Sequence, residues 1–433
     1  MNKLFKTFFV LLAMSALMAC SSTQNNSQSN SSNNSSTPAA EGKIYDTNGK
    51  EITSGSGSVS FSTSSSGGGG DGGHSQSTTK TISAAYLIDG VTVNITSGTY
   101  ESASGSSDQV VFLVINGGKL NITGTASSYV NVNKSGSGAA NGRVSDDYNF
   151  YGINSTIVVA GSTSTAMLSY VNINSQANGS NSVVATSSGT ITISNSKIVS
   201  GSSSNKYAGA RGLHATYGGT IIADTVDIVT YGVSCASLAT DRGGGTIVAT
   251  NMTLQTNANG SPLVYSTGNI SVNNSTGTAN AGQMVVVEGG SSATLSSCTF
   301  SCTGDGNRTG TSESNSASHV IDKAGIFIYQ SMSGDSSHGT DYFTASNCSF
   351  TVTNSNVPMF FVTNISAIVS LSGNTYSYGT NDYFIIAEST DQWGKTGSNG
   401  ATVSIKVPSS ELATYNSYTQ FVGSTSSVSI SVS

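Results

Sequence analysis

The chain has 433 residues, of which only 9% are charged, 16 basic and 22 acidic, against about 25% in an average soluble domain. The scarcity of Glu, Lys and Arg argues against a mostly helical protein, and a net charge of −6 argues against a nucleic-acid partner. Hydrophobic residues make up 36%, with 18 Tyr and 14 Phe, which is too many for a disordered chain. The composition predicts a β-rich protein with many short strands and turns.

The first residues have the layout of an export signal. Lys3 and Lys6 precede an apolar run over residues 8–18 that is too short to span a bilayer as a helix. The run ends in Leu-Met-Ala-Cys at Cys20 and resembles the lipobox of bacterial lipoproteins. This resemblance implies lipid attachment at Cys20, and Ser21 after it implies sorting to the outer membrane. The alternative is an ordinary secretory signal with an incidental cysteine.

The sequence predicts three parts of the chain. Residues 1–19 are the signal peptide, and residues 20–43 are a lipidated flexible tether, rich in Ser and Asn, that cannot bury a core. Residues 44–433 form the folded domain, with an N-terminal cap and a flexible glycine-rich region over 44–80. We therefore expect an outer-membrane lipoprotein of a bacterial cell envelope, exposed at the cell surface.

A short phrase recurs along the folded part: an apolar residue, a polar two-residue corner and a second short strand. Copies begin at Leu168, Ile193, Ala223, Ala249, Val272, Leu295, Ala345 and Leu371. The copies follow one another at about 25 residues, except for one spacing of 50, which indicates an insertion over residues 304–340.

This period predicts stacked repeats, because the apolar side chains of one repeat find their partners only in its neighbours. The second residue after each start is predicted to be a corner with left-handed backbone angles, which Asn tolerates better than most residues. The predicted corners are Asn195, Thr225, Asn251, Asn274, Ser297, Asn347 and Gly373. Stacked in register they would form a ladder, and the alternative is ordinary turn composition in an Asn-rich chain.

The phrase, the repeat length and the richness in Ser, Thr, Gly and Asn resemble the right-handed parallel β-helix of pectin-lyase-like proteins. Among these, the chain is most similar to bacterial surface proteins of the adhesin and autotransporter-passenger type. The resemblance covers about residues 80–433. It implies an all-β fold, a single-stranded right-handed parallel β-helix (β-solenoid) of roughly 10–12 rungs, but no particular activity, because this fold carries lyases, hydrolases, adhesins and structural rods.

The catalytic signatures of the polysaccharide-cleaving relatives are missing from the sequence. Asp146 and Asp147 have no companion motif, and none of the four histidines stands in a Gly-His-Gly context. We expect a non-catalytic adhesin, a monomer without metal or cofactor, that binds glycans or host or community surface proteins. The alternatives are a polysaccharide lyase or hydrolase on the same fold and a purely structural envelope protein.

One outer face is predicted to carry the densest cluster of polar groups. Stacking Leu213, Leu238, Leu263 and Val285 as inward positions places Thr216, Asp241, Ser266 and Glu288 in one column. The candidate ligand-binding residues of this face are Arg211, His214, Tyr217, Asp241, Arg242 and Glu288. Carboxylates with a histidine and two arginines suit sugar binding or acid–base chemistry. The alternative is a salt-bridged edge that keeps the rod soluble.

Four cysteines follow the lipobox, and their spacing fits no zinc site. They are Cys235, Cys298, Cys302 and Cys348. Cys298 and Cys348 occupy the same place in successive repeats, which predicts a stacked pair. The first interpretation is buried free thiols, and the alternative is a disulfide between repeats.

Aromatic residues concentrate near the C-terminal end of the chain. They are Tyr376, Tyr378, Tyr383 and Phe384, with Trp393 in a short insert over 388–400. An exposed strip of such rings would stack on sugars. We favour the interpretation that they fill the core and cap its end.

Overall fold

Two long sheets carry the fold in the computed structural model, which describes residues 43–62, 77–103, 108–136, 146–331, 339–380, 382–394 and 397–433. Outside the first pair of sheet 1, which is antiparallel, the strands of both sheets pair in parallel. The described residues all fall within one compact unit. The predicted signal peptide, Cys20 and nearly all of the predicted tether lie outside the described residues. No helix in the described ranges is long and apolar enough to cross a membrane.

We call the first sheet sheet 1; it has 13 strands among the described residues. They are Gly55–Ser62, Ser77–Asp89, Gln109–Ile115, Ile157–Ala160, Val183–Thr186, Leu213–Ala215, Leu238–Thr240, Val264–Ser266, Val285–Glu288, Ile326–Tyr329, Phe360–Thr363, Ile385–Ala387 and Gln420–Val422.

The second, sheet 2, has 20 strands in the same ranges. They are Thr92–Ile95, Thr99–Glu101, Lys119–Thr123, Val130–Ser135, Thr165–Ser169, Val171–Gln176, Thr190–Ser200, Gly219–Thr230, Gly245–Thr250, Thr253–Thr256, Asn269–Asn273, Thr276–Ala279, Ser292–Ser296, Thr299–Cys302, Thr340–Ser346, Ser349–Val352, Ser366–Ser372, Thr375–Ser377, Thr402–Val407 and Ser427–Val432. Short antiparallel pairs join Ile44–Tyr45 to Glu51–Ile52 and Thr309–Gly310 to His319–Val320. Two short helices are described, α1 (Asp146–Tyr151) and α2 (Leu412–Ser417).

From Ser77 onwards, the chain visits the two sheets alternately, so that each repeat contributes strands to both. Side chains alternate along a strand, and the inward set of both sheets forms one continuous apolar core. Ile221, Ile247 and Ile270, for example, stack in successive repeats and are buried. The predicted stacking of repeats is therefore what holds the described part together.

The predicted corners all have left-handed backbone angles, with φ between 48° and 66°. Their ladder is partly formed: the side-chain amide of Asn274 donates to Asn251 at 2.6 Å, and that of Asn251 donates to Asp224 at 2.7 Å. At Gly373 an added Cβ would lie 2.5 Å from Oδ1 of Asn347. A larger residue at this corner would therefore require the side chain of Asn347 to move.

Within the predicted insertion over 304–340, the segment Ile326–Tyr329 is an ordinary strand of sheet 1. The added length therefore lies on both sides of a regular strand. His74 and His338 lie outside the described residues.

Candidate functional site

The outward face of sheet 1 is mostly apolar, whereas the sequence predicted a cluster of polar groups on this face. The register aligns Val158, Val184, His214, Ala239, Tyr265, Val286, Phe327 and Phe361 along this face. Two outer clusters cover it. The N-terminal cover joins the strand Gly55–Ser62 to α1. The C-terminal cover consists of Ile321, Ala324 and Trp393, packed on Val286, Phe327 and Phe361 of the sheet.

Arg211 and Asp241 form a buried ion pair next to this face. Nη2 of Arg211 lies 3.0 Å from Oδ2 of Asp241, and the two side chains are 9% and 4% exposed. The other terminal nitrogen of the guanidinium, Nη1, is buried and has no hydrogen-bond partner. The pair therefore leaves one strong donor unused.

His214 lies on the strand Leu213–Ala215 under α1, and it is fully buried. Its Nε2 is 2.7 Å from the backbone oxygen of Asn149. Burial, and then the positive charge of Arg211, lower the pKa of His214 well below its usual value. The imidazole is thus held neutral, which suits a packed histidine better than a proton carrier.

Arg242 and Tyr217 belong to the packing of the N-terminal cover. The guanidinium carbon of Arg242 lies 4.0 Å from the ring centre of Phe150, a cation–π contact. The ring of Tyr217 stacks on Tyr151, with 5.7 Å between centres, and meets Phe61 edge-on at 5.1 Å. Both residues hold the cover to the sheet.

Glu288 is 1% exposed and lies on the strand Val285–Glu288, three strands along sheet 1 from the strand Leu213–Ala215. Its Oε2 accepts hydrogen bonds from the hydroxyls of Tyr265 at 2.5 Å and Tyr329 at 2.7 Å. The structure thus brings Arg211 and Asp241 into direct contact but engages Glu288 in a separate cluster of its own.

The predicted alignment behind this site was wrong by one residue in one repeat. Val264, not Leu263, stands beside Leu238 and Val285. Ser266 therefore pairs with Val287 and leaves the column of Asp241 and Glu288. The turn before this strand has one residue more than the alignment allowed.

Between the two covers lies a groove of about 510 Å³. It runs over the turns and outer face of four neighbouring strands of sheet 1, from Leu213–Ala215 to Val285–Glu288, and reaches Ile326–Tyr329. Of the six predicted residues, Arg211 alone lines it. The others lie beneath it or in the covers.

An aromatic wall closes one side of the groove. Phe327 and Tyr329 stack with 4.3 Å between ring centres, and Trp393 contacts both rings at 5.3 and 5.0 Å. Tyr265 adds a fourth, half-buried ring. Burial and the neighbouring Glu288 raise the pKa of Tyr329 well above its usual value, so that its hydroxyl stays a hydrogen-bond donor.

Polar groups also line the groove. Arg308 and Asn307 are exposed in its lining, and Arg308 takes part in none of the ion pairs found in the described ranges. Oδ1 of Asn149, on α1, and Nη1 of Arg211 have no hydrogen-bond partner, but both atoms are buried from solvent. The groove thus offers exposed donors, an amide acceptor and apolar rings together.

A buried carboxylate fixes the rim that carries Arg308. Asp322 is 5% exposed and accepts the backbone N–H of Asn307 at 3.1 Å and of Arg308 at 3.0 Å. Burial raises the pKa of Asp322, and these two N–H groups oppose the rise. The side chain of Gln283 donates to the backbone oxygen of Asp322 at 2.7 Å, so the rim is anchored to the neighbouring repeat.

Sequence reasoning missed Asn149 and Arg308 because they come from segments outside the repeated phrase. It missed Tyr265 because the alignment at Leu263 turns this side chain inward, whereas the register with Val264 turns it outward. Trp393 was expected in the core or at its end; it is buried, at 6% exposure, but it packs in the C-terminal cover outside the core, whereas Phe384 does lie in the core. Trp393 also lines the groove. The part of the chain that the structure describes holds no cluster of three or more His, Cys, Asp or Glu that suits a metal ion.

The carboxylate of Glu313 stabilises the C-terminal cover, and its protonation at low pH should destabilise this cover. The carboxylate accepts the backbone N–H groups of Ser389 at 3.0 Å and Ser424 at 2.9 Å. Burial alone would raise its pKa, but these hydrogen bonds outweigh it and lower the pKa to about 2. The stabilisation is therefore complete above the unfolded value, near 4.5, and is lost as pH falls towards 2. Fluorescence of Trp393, the sole tryptophan, should shift to the red between pH 5 and pH 2.

The substitution Glu313→Gln should remove this transition, with emission already shifted at pH 5. The exposed Glu101, at the far end of sheet 2, gives the matched control Glu101→Gln, which should leave the transition in place. An unchanged pH profile in Glu313→Gln would show that another group controls the cover.

No protein-family model, curated protein or solved structure matches the chain.

Proposed function

We propose that the chain is a lipid-anchored cell-envelope protein that binds glycans, without cleaving them, in the groove on the outer face of sheet 1. Its fold would be a right-handed parallel β-helix. One observation supports the β-helix: the chain alternates between two parallel sheets. The right hand follows from the general rule that a crossover between parallel strands of one sheet is almost always right-handed.

The observation that carries the proposed function is that exposed polar side chains and aromatic rings line one groove. Arg308 and Asn307 are exposed in its lining, and Tyr265 is half-buried there. A guanidinium donates to sugar hydroxyls, and a side-chain amide both donates and accepts. The apolar face of a sugar ring packs on an aromatic ring such as that of Tyr265.

The carboxylates near the groove are already engaged, which supports binding rather than catalysis. Asp241 is paired with Arg211, and Glu288 accepts two tyrosine hydroxyls. A general acid or base must reach the proton of its substrate, and both groups lie under the groove instead of lining it.

Glycan-array binding by residues 44–433, followed by calorimetry on the best ligand, tests this proposal. Tyr265→Ala and Arg308→Ala should each weaken binding about tenfold or more, because each removes a contact of about 1.4 kcal/mol. The control Tyr342→Ala removes an exposed tyrosine of sheet 2 outside the groove and should bind normally.

Three outcomes would overturn the proposed function. Binding by no glycan would favour the purely structural alternative. Release of reducing ends or unsaturated sugars would favour the lyase or hydrolase. Equal loss of binding in Tyr342→Ala and in the groove variants would place the site elsewhere.

The anchor is tested separately in the native host. Cys20→Ser should move the protein from the membrane fraction to the soluble fraction, because a lipid chain on this cysteine would be the attachment. Protease treatment of intact cells should digest the wild-type protein if it faces outward. Membrane association that persists in Cys20→Ser would contradict lipid attachment at this residue.

A further inference from the structure

Two of the four buried cysteines stack on one another in neighbouring repeats. The register pairs Ser296 with Ser346 and Thr299 with Ser349, so Cys298 lies directly beside Cys348. The backbone N–H of Cys298 points to Sγ of Cys348 at 3.4 Å. Both residues are at most 2% exposed.

The position that they share is an inward one, directly after the left-handed corner. In other repeats it holds either a buried apolar side chain, as at Val226 and Met252, or a short polar one that accepts a backbone N–H from the preceding repeat. Ser275 accepts from Met252 at 2.9 Å, and Asn374 accepts from Cys348 at 2.9 Å. A buried free thiol suits the apolar use, and what points further is that two stacked repeats both carry a cysteine here.

We propose that Cys298 and Cys348 form a disulfide bond that ties the two repeats on either side of residues 304–340. Neighbouring parallel strands are about 4.8 Å apart, which falls within the Cα separation that a disulfide spans. Both side chains point into the same core, so bond formation needs no change of face.

The bond forms by thiol–disulfide exchange as the repeats stack. The thiolate of one cysteine attacks the disulfide of an oxidant of the thiol–disulfide oxidoreductase class, forms a mixed disulfide and expels one thiolate. The deprotonated sulfur of the other cysteine then attacks the protein sulfur of the mixed disulfide and expels the second thiolate. Two protein thiols are oxidised, one external disulfide is reduced, and the two protons pass to the expelled thiolates.

The remaining cysteines provide an internal comparison. Cys302 stands between Ala279 and Val352 in the register, and Cys235 contacts the backbone oxygens of Tyr207 and Val233. Neither has a thiol in the adjacent repeat. The proposal therefore requires one specific bond and two free thiols.

Mass spectrometry on the full chain decides the question. The reduced, unfolded chain is refolded in a mixture of glutathione and glutathione disulfide, unfolded again without reductant, alkylated and digested. We expect one linked peptide pair containing Cys298 and Cys348, two hydrogens lighter than the reduced pair, with Cys235 and Cys302 alkylated. The variant Cys302→Ser should keep this bond, and Cys348→Ser should leave Cys298 alkylated.

Alkylation of all four cysteines after refolding would overturn the proposal, and so would any other pairing. The result does not depend on glycan binding, so the two proposals fail separately. Chain isolated from the export compartment and alkylated without reduction should give the same linked peptides.

Discussion

Replacing Asp241 by alanine is expected to lower the free energy of unfolding by about 3–5 kcal/mol, because the charge of Arg211 stays buried without its partner. The ion pair is 3.0 Å long, and both side chains are more than nine-tenths buried, so solvent screens it little. Chemical denaturation followed by circular dichroism measures the loss. The alternative interpretation of this cluster, a solvated edge, predicts a loss below about 1 kcal/mol.

The double variant Arg211→Met, Asp241→Leu separates the charge from the packing. Apolar side chains of similar volume in place of a buried pair are often neutral for stability, so most of the loss should be recovered. Chemical denaturation of the double variant measures the recovery. A loss as large as that of Asp241→Ala would show that packing, and not the unpaired charge, causes it.

Glu288→Ala is the second large effect, at about 2–3 kcal/mol. The substitution removes the acceptor of two tyrosine hydroxyls, at 2.5 and 2.7 Å, and each partly buried donor left without a partner costs about 1 kcal/mol or more. Glu288→Gln keeps a carbonyl acceptor and should lose less than half as much. Thermal unfolding measured on the three proteins gives the comparison.

The same substitution should also loosen the groove wall, because Tyr265 and Tyr329 both line it. Ligand affinity should therefore fall in Glu288→Ala and be retained in Glu288→Gln. Equal affinity in both variants would show that the tyrosines are held by ring packing alone.

The fold was largely predictable because its determinants are local and repeated. The phrase around Asn251 and Asn347 predicted left-handed corners, and the same spacing predicted that Cys298 would stack on Cys348. The same pattern recurs in each repeat, so a repeat that is misaligned in the sequence can be realigned from its neighbours.

The groove was not predictable in the same way. Asn149 and Arg308 reach it from segments without periodicity, and their positions depend on how the covers dock. The alignment placed Leu263 instead of Val264 beside Leu238. This error arose because the turns between strands vary in length, and only the strands keep a constant register.

The apolar outer face of sheet 1 bears on the order in which the protein must be assembled. Strands such as Gln109–Ile115 are buried on both faces, and a partly folded chain that exposes them would be prone to aggregation. The strand Gly55–Ser62, which belongs to the N-terminal cover, precedes them in the chain. This strand is thus synthesised before the surface that it covers, although α1, the other part of the N-terminal cover, follows Gln109–Ile115. Trp393 comes after Phe327 and Phe361, so these two rings remain uncovered until the chain is almost complete.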